Sequence, residues 1–403
     1  MKILTVNRDF RLLFAAVAVS RLGTSVGYVA VPVVAVAALD ATPGQVGLLG
    51  TLATVAFLLI GLPAGAWADR LRRRRVLIAA DLARAVLFGS VPVGYALGTL
   101  TITWLYVVVL LAGVGTVFFD VANQSYLPQV VGRPALLVAN ARLVSMDGIN
   151  DIAGRGVAGY LLTVVAAPVA VVLDAVSYLA SAALIVRIRQ REEPPARTGG
   201  TLWREVREGT GFVLAHPILR AVALSGAITN VAFALIMTML PVVFVRDLGV
   251  GPGVLGLWLA GGGAGALLGS LVARRLADRL GAGRVVWLAG LATAPFGFAV
   301  PLMDTGTLWL AAGCWLVVVT KSGIDNVIKI SFRQRVTPDR LLGRMNATFR
   351  FVLSGALAVG AALAGVLGEL AGPRAALWAG AFGIAVVWVP IACSPLRTMR
   401  DLD

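Results

Sequence analysis

Two sets of charged residues lie inside long apolar runs of the sequence and repeat the same spacing. They are Asp147, Asp151 and Arg155 in one run, and Lys321, Asp325 and Lys329 in another. Residues at i, i+4 and i+8 share one face of a helix, so each set would present its charges together. A carboxylate that alternates between an apolar surrounding and a neighbouring cation can take up and release a proton. The alternative is a buried salt bridge that only fixes helix packing.

Other polar residues inside the apolar runs are candidates for contact with a bound molecule. Ionisable groups at bilayer depth cost several kcal/mol unless they are paired or wetted, so each is a functional candidate. The six cations are Arg21, Arg84, Arg155, Lys321, Lys329 and Arg350, and the six clear anions are Asp81, Asp120, Asp147, Asp151, Asp174 and Asp325. Arg21 is expected to bind an anionic group or to pair with an aspartate. Asp81 and Arg84, three residues apart, are expected to form a structural pair.

From this set we select two groups. The candidates for proton coupling are Asp120, Asp147, Asp151 and Asp325. The candidates for lining a binding cavity are Arg21, Tyr28, Asn123, Arg155, Asn230, Lys321 and Arg350.

The elements that carry these residues are predicted by composition. Of the 403 residues, 59% are hydrophobic and 14% are charged, whereas a soluble domain carries about 25% charged residues. Apolar runs of about 20 residues can cross a bilayer core of about 30 Å as helices. The sequence therefore predicts an all-α polytopic membrane protein with twelve spans and excludes an ordinary soluble domain. The spans are residues 10–39, 44–68, 76–98, 101–128, 136–166, 168–188, 217–247, 252–274, 284–303, 307–334, 342–371 and 373–393.

The basic residues predict the orientation of the spans. When loops are assigned alternately to the two sides, 27 of the 35 Lys and Arg residues fall on the side of the N-terminus, and only Arg246 and Arg374 fall opposite. Cytoplasmic loops carry such an excess, so a multi-pass protein of the cytoplasmic membrane with both termini in the cytoplasm is expected. Lys329 is expected to extend to that surface. The net charge of +15 marks topology rather than nucleic-acid binding, which needs a basic face on a soluble fold.

The two halves of the chain repeat each other. Ala-Asp-Arg-Leu at 68–71 recurs at 277–280, an offset of 209 residues. An offset close to half the chain length indicates a duplicated six-helix unit in parallel orientation. The predicted domains are a six-helix bundle at 1–188, a cytoplasmic linker with a short amphipathic helix at 189–216, and a second six-helix bundle at 217–403.

A charged motif joins the second and third spans. Residues 61–75 read Gly-Leu-Pro-Ala-Gly-Ala-Trp-Ala-Asp-Arg-Leu-Arg-Arg-Arg-Arg. Gly61 and Gly65 allow two helices to approach closely, and Asp69 among the arginines can bridge to a neighbouring helix. For the arginine run, topology anchoring alone is the alternative.

This motif resembles the signature of the major facilitator superfamily. The chain is most similar to the twelve-helix drug:proton antiporters of the macrolide- and siderophore-exporter type, and segments 173–178 and 335–347 support the resemblance. It implies two bundles related by a pseudo-twofold axis around a central cavity, with Asp120 and Asp325 facing each other. The implied cytoplasmic gate consists of Gly61, Gly65, Asp69, Arg70, Arg74, Asp278 and Arg279. Arg155 departs from the family pattern, which usually has a proline there.

The resemblance and the embedded acids favour a secondary active transporter that exports an amphipathic drug, antibiotic or siderophore-like molecule in exchange for protons. Proton- or sodium-coupled uptake, facilitated diffusion and a lipid flippase are the alternatives. The sequence has no Gly-x4-Gly-Lys-Ser/Thr motif, no His-Glu-x-x-His and no Gly-x-Ser-x-Gly, so we expect ion-driven transport without enzymatic activity, cofactor or metal. The expected partners are the small-molecule substrate, protons and the lipid bilayer, with no nucleic acid, and the chain is expected to be a monomer.

Overall fold

The computed structural model describes residues 7–68, 71–132, 135–190 and 202–399 of the chain, apart from the side chains at 62–68, 137, 144, 151–152 and 202–206. Within these ranges the regular structure is helical. The first six helices are α1 (Arg8–Val33, continued by a π-helical turn at Val34–Ala38), α2 (Pro43–Ala68), α3 (Arg73–Ala96), α4 (Ile102–Val131), α5 (Leu136–Val164) and α6 (Ala167–Val186). The next are α7 (Leu202–Ala215), α8 (Pro217–Val242, continued by a π-helical turn at Val243–Asp247), α9 (Pro252–Leu280) and α10 (Ala282–Thr293, continued by a 3-10 turn at Ala294–Ala299). The last are α11 (Leu308–Arg335), α12 (Asp339–Ala371), α13 (Pro373–Val386) and α14 (Val389–Ala392), followed by a 3-10 turn at Pro395–Thr398.

Among the described residues, eleven helices are long and apolar enough to cross a membrane by length and composition. The fifth predicted span coincides with α5, which has 29 residues and carries the charged set that begins at Asp147. Helix α7 lies in the predicted linker and has 14 residues. The all-α polytopic architecture predicted from the apolar runs is confirmed.

Local chemistry sets several helix ends. Asn7 accepts a hydrogen bond from the Phe10 amide at 2.9 Å and caps α1, and Thr101 caps α4 in the same way. Gly281 and Gly372 have φ of 88° and 87° and separate α9 from α10 and α12 from α13. This left-handed backbone stops a helix and is available to glycine at no steric cost.

The chain divides into two compact units. The first contains Met1–Ala41, Val55–Gly199 and Gly251–Ala260, and the second contains Thr42–Thr54, Gly200–Val250 and Gly261–Asp403. The start of α9 belongs to the first unit because an added Cβ at Gly256 would stand 2.1 Å from the Cα of Gly159 on α5. The start of α2 belongs to the second unit because Gly47 packs equally closely on Gly365 of α12. The domain boundaries given above stay a prediction.

In the first unit, α1 packs against α5 and α6, and α3 packs against α4 and α6. Phe10, Leu77 and Tyr126 are fully buried in an apolar cluster of this unit. These contacts place the polar residues of α1 next to those of α4 and α5.

In the second unit, α8 packs against α12 and α13, and α7 packs against α12. A Cβ at Gly360 would stand 2.7 Å from the Val231 carbonyl oxygen, so α8 and α12 approach at small residues, as membrane helices do. Leu219 and Phe349 belong to the buried cluster of this unit.

Candidate functional site

Three charged side chains join α1, α4 and α5 in the first unit. Arg21 donates to the Asp120 carboxylate at 2.7 Å, and its Nε lies 3.8 Å from an oxygen of Asp147. The side chain of Asp120 is 17% exposed, whereas that of Asp147 is 50% exposed. Arg21 is therefore held closely by one carboxylate and loosely by a second, half-exposed one.

Helix α5 brings Asp147 to Arg21 because it packs closely along α1. Asn150 donates its amide to the Ala18 carbonyl at 2.8 Å. At Gly154 an added Cβ would stand 2.4 Å from the Cβ of Ser25. Asn150 and Gly154 of α5 thus face α1, and this packing brings Asp147 within reach of Arg21 on α1.

Two of the cavity candidates lie together on the same helix pair. The Arg155 guanidinium lies 5.5 Å from the ring centroid of Tyr28, within cation–π distance. Tyr28 is 52% exposed. On α4, the Oδ1 of half-buried Asn123 makes no hydrogen bond within the described residues. The Asp151 side chain lies outside the described residues, so its role stays a prediction.

The second charged set is buried on α11. Lys321 and Lys329 both donate to Oδ2 of Asp325 at 2.7 Å, and the three residues are 6%, 8% and 5% exposed. Lys329 also donates to the Ser225 hydroxyl of α8 at 2.9 Å. The expectation that Lys329 extends to the cytoplasmic surface is wrong, because its ammonium group lies in the interior between Asp325 and Ser225.

A small cavity lies beside Lys321. It is lined by Thr229, Phe233, Thr293, Val318, Lys321, Ser322, Ile384 and Val387. Apart from the lysine and three hydroxyl groups its walls are apolar.

The remaining cavity candidates of the second unit lie on α8 and α12. Asn230 donates its amide to the Leu353 carbonyl at 2.9 Å and so joins these helices. Arg350 is half-buried on α12. Asn230 therefore contributes to packing, and a further role for either residue stays a prediction.

The gate motif is described only in part. Asp69, Arg70 and the burial of Gly65 lie outside the described residues. Arg74 donates to two carbonyls in the last turn of α6, with Nε 3.2 Å from that of Ile185. A basic side chain in this position satisfies helix carbonyls that have no intrahelical partner.

The other gate residues lie on α2 and α9. The group nearest to an added Cβ at Gly61 is the Phe57 ring of the same helix, at 3.2 Å. An oxygen of the Asp278 carboxylate lies 3.9 Å from Nε of Arg274, and both side chains are exposed. Arg279, the next residue, is also exposed. The gate function of the motif stays a prediction.

Ser225 is a polar contact that the sequence analysis did not single out. Its hydroxyl accepts from Lys329 and donates to the Val387 carbonyl at 2.9 Å. A single serine in an apolar helix carries no spacing pattern, so only the packing of α8 on its neighbours identifies this contact.

The fold has close counterparts among solved structures. A bacterial homologue of the iron transporter ferroportin in an inward-facing state matches with a TM-score of 0.78 and 16% identity, over 97% of this chain and 99% of that chain. The nucleoside transporter NupG matches with a TM-score of 0.73 and 11% identity, over 96% and 98%. At these identities the similarity shows the fold alone.

Curated relatives include the enterobactin exporter EntS of Escherichia coli O1:K1 / APEC, which is 26% identical over 397 residues, covering 96% of this chain and 92% of the relative. EntS of Shigella boydii serotype 18 has the same identity and coverage. Residues 5–403 match the family described as transmembrane secretion effector. The chain therefore belongs to the transmembrane secretion effector family of the major facilitator superfamily.

Proposed function

We propose that this chain exports an amphipathic, siderophore-like small molecule from the cytoplasm across the cytoplasmic membrane in exchange for protons. It works as a monomeric transporter without a catalytic step, and both termini lie in the cytoplasm. Membership of a secretion family and full-length similarity to enterobactin exporters support export. The basic loops support the orientation.

The observation that carries the exchange mechanism is the unequal hold of Arg21 on two carboxylates. An oxygen of Asp120 lies 2.7 Å from Nη2 of Arg21, and an oxygen of Asp147 lies 3.8 Å from its Nε. Half of the Asp147 side chain is exposed. Asp120 anchors the guanidinium, so Asp147 is the carboxylate that other groups can reach.

A proton and a hydrogen-bond donor of the transported molecule compete for Asp147. When the carboxylate is ionised it accepts the donor in a strong, charge-assisted hydrogen bond. When it is protonated it is a weaker acceptor and loses its charge attraction to Arg21. Competition between proton and cargo for one carboxylate is the coupling that exchange requires. Tyr28, stacked under Arg155, offers an exposed aromatic surface to the apolar part of the molecule.

Transport in proteoliposomes tests the proposal with enterobactin as the probe. When the lumen of the proteoliposomes is more acidic than the outside, enterobactin is expected to accumulate in the lumen, because protons leave the lumen as the molecule enters it. Asp147→Asn is expected to lower this accumulation roughly 5–150-fold, the range that corresponds to coupling free energies of about 1–3 kcal/mol. Asp40→Asn is the matched control, since Asp40 is exposed after α1 and its φ of 51° suits asparagine.

Two results would contradict the proposal. Accumulation that is equal with and without the pH gradient, or that survives Asp147→Asn unchanged, removes the proton exchange. A wild-type protein that moves no enterobactin under either condition removes the siderophore-like class of cargo.

A further inference from the structure

A buried polar cluster in the first unit lies apart from the site described above. It forms where α1, α3, α4 and α6 meet, and each member is at most 6% exposed. The members are Asp81, Arg84, Asp174, Ser177, Tyr178 and Ser181. So many polar groups in an apolar interior carry a cost unless each is satisfied.

The guanidinium of Arg84 has its contacts inside this cluster, and its Nε makes no hydrogen bond within the described residues. It forms a close ion pair with Asp81, as the spacing of the two residues predicts. Its Nη1 lies 3.4 Å from the Thr116 hydroxyl. Its guanidinium lies 4.2 Å from the Tyr178 ring centroid and 4.6 Å from that of Phe119. The positive charge is thus balanced by Asp81 and covered by aromatic rings.

Asp174 is a second carboxylate at this point and lacks such a partner. It is 1% exposed, and its Oδ1 makes no hydrogen bond within the described residues. In the same part of the chain no basic group forms an ion pair with it. Two ionised carboxylates and one guanidinium would leave one uncompensated negative charge in the interior, which costs several kcal/mol.

Helix α1 closes over the Asp174 carboxylate. An added Cβ at Gly27 would stand 2.3 Å from Oδ2, and one at Gly23 would stand 2.9 Å from Oδ1. The two glycines lie one helical turn apart, so the α1 backbone itself covers the acid and excludes water. Arg21 lies on the same helix, two residues before Gly23.

The groups facing Asp174 can be named helix by helix. Among the described residues, α3 presents Asp81 and Arg84, and α6 presents Tyr178. From α1 come the two glycines and Thr24, whose hydroxyl lies 3.0 Å from that of Tyr178. From α4, the Thr116 hydroxyl and the Phe119 ring contact Arg84, and neither is charged. A proton supplies the missing counter-charge to Asp174 while Arg84 stays paired with Asp81.

We propose that Asp174 is a proton-binding site, protonated while α1 covers it and ionised when α1 moves away. The inference rests on the proposed proton exchange and adds a second carboxylate to it. Release breaks the O–H bond of the Asp174 carboxylic acid and transfers the proton to water. Because α1 carries both Arg21 and the covering glycines, cargo binding at Arg21 changes the exposure of Asp174.

Infrared spectroscopy of the purified protein in lipid nanodiscs tests this site without cargo or gradient. A buried protonated carboxyl group gives an infrared band that is separate from the bands of ionised carboxylates. The band of protonated Asp174 is expected to be present at neutral pH. Asp174→Asn, nearly identical in size, is expected to remove it. Asp40→Asn and Asp147→Asn are expected to keep it.

Asp81→Asn is the second variant and leaves Asp174 in place. With Asp81 neutral, Arg84 has Asp174 as its remaining buried counter-ion, so Asp174 is expected to ionise and the band to disappear. A band retained in either Asp174→Asn or Asp81→Asn overturns the inference. Since this measurement needs no transport, it fails or succeeds independently of the enterobactin assay.

Discussion

Asp147 and Asp325 differ in how much of each side chain is exposed, although the sequence places both in sets of equal spacing. Asp325 accepts from two lysines at 2.7 Å and is 5% exposed. Asp147 is half exposed, with Arg21 at 3.8 Å. Two adjacent cations favour an ionised carboxylate at Asp325. We therefore infer that Asp325 serves the second unit as a structural anion, whereas Asp147 is the carboxylate open to exchange.

Asp325→Asn is expected to destabilise the protein by about 3–5 kcal/mol, since it leaves buried cations without a counter-ion. Lys329→Met is the matched control because it leaves the Lys321–Asp325 pair neutral, and it is expected to cost less. Thermal unfolding in detergent, followed by tryptophan fluorescence, measures both. An equal loss of melting temperature in the two variants would contradict the structural role of Asp325.

At the scale of helices, α5 approaches α1 through a glycine, and this approach aligns Asp147 with Arg21. An added Cβ at Gly154 would stand 2.4 Å from the Cβ of Ser25. Such a contact is too short for two methyl-sized groups, so the helices would have to separate. The geometry of the charged cluster therefore depends on one small residue a turn or two away.

Gly154→Ala is expected to lower stability by about 1–3 kcal/mol, the usual cost of overpacking, and to weaken pH-driven transport. Ser25→Gly removes the clashing Cβ, at a cost of about 1 kcal/mol for glycine in a helix. The double variant is expected to be no less stable than Ser25→Gly alone. Additive losses in this double-mutant cycle, measured by thermal unfolding, would show that the two residues are not in contact.

The helices and their spacing patterns could be predicted because they depend on local sequence. Apolar length predicts a span, and the three-residue spacing of Asp81 and Arg84 predicts their ion pair, which is confirmed. The same local argument places Lys329 at the membrane surface and fails, because its partner Ser225 comes from α8. The pairing of Arg21 with both Asp120 and Asp147 likewise depends on which helices pack together. Spacing within one helix cannot supply that information.

At the scale of the whole chain, the two units carry opposite surpluses in their buried clusters. The cluster around Arg84 has two carboxylates and one cation, and the cluster around Asp325 has one carboxylate and two cations. An excess acid can be neutralised by binding a proton, and an excess lysine by losing one. The buried excess in the first unit is thus an acid, which makes this unit the better place for proton uptake.

Proton exchange in the proposed direction requires the basic loops to lie in the cytoplasm. Thr305 lies between the 3-10 turn after α10 and the start of α11, and is then extracellular. Gln190 lies after α6 and is then cytoplasmic. Both residues are exposed. In a variant with Cys314 and Cys393 replaced by serine, Thr305→Cys is expected to react with a membrane-impermeant maleimide in intact cells. Gln190→Cys is expected to react only after the cells are permeabilised. Labelling of Gln190→Cys in intact cells would invert the topology, and the carboxylates would then meet their protons from the opposite side of the membrane.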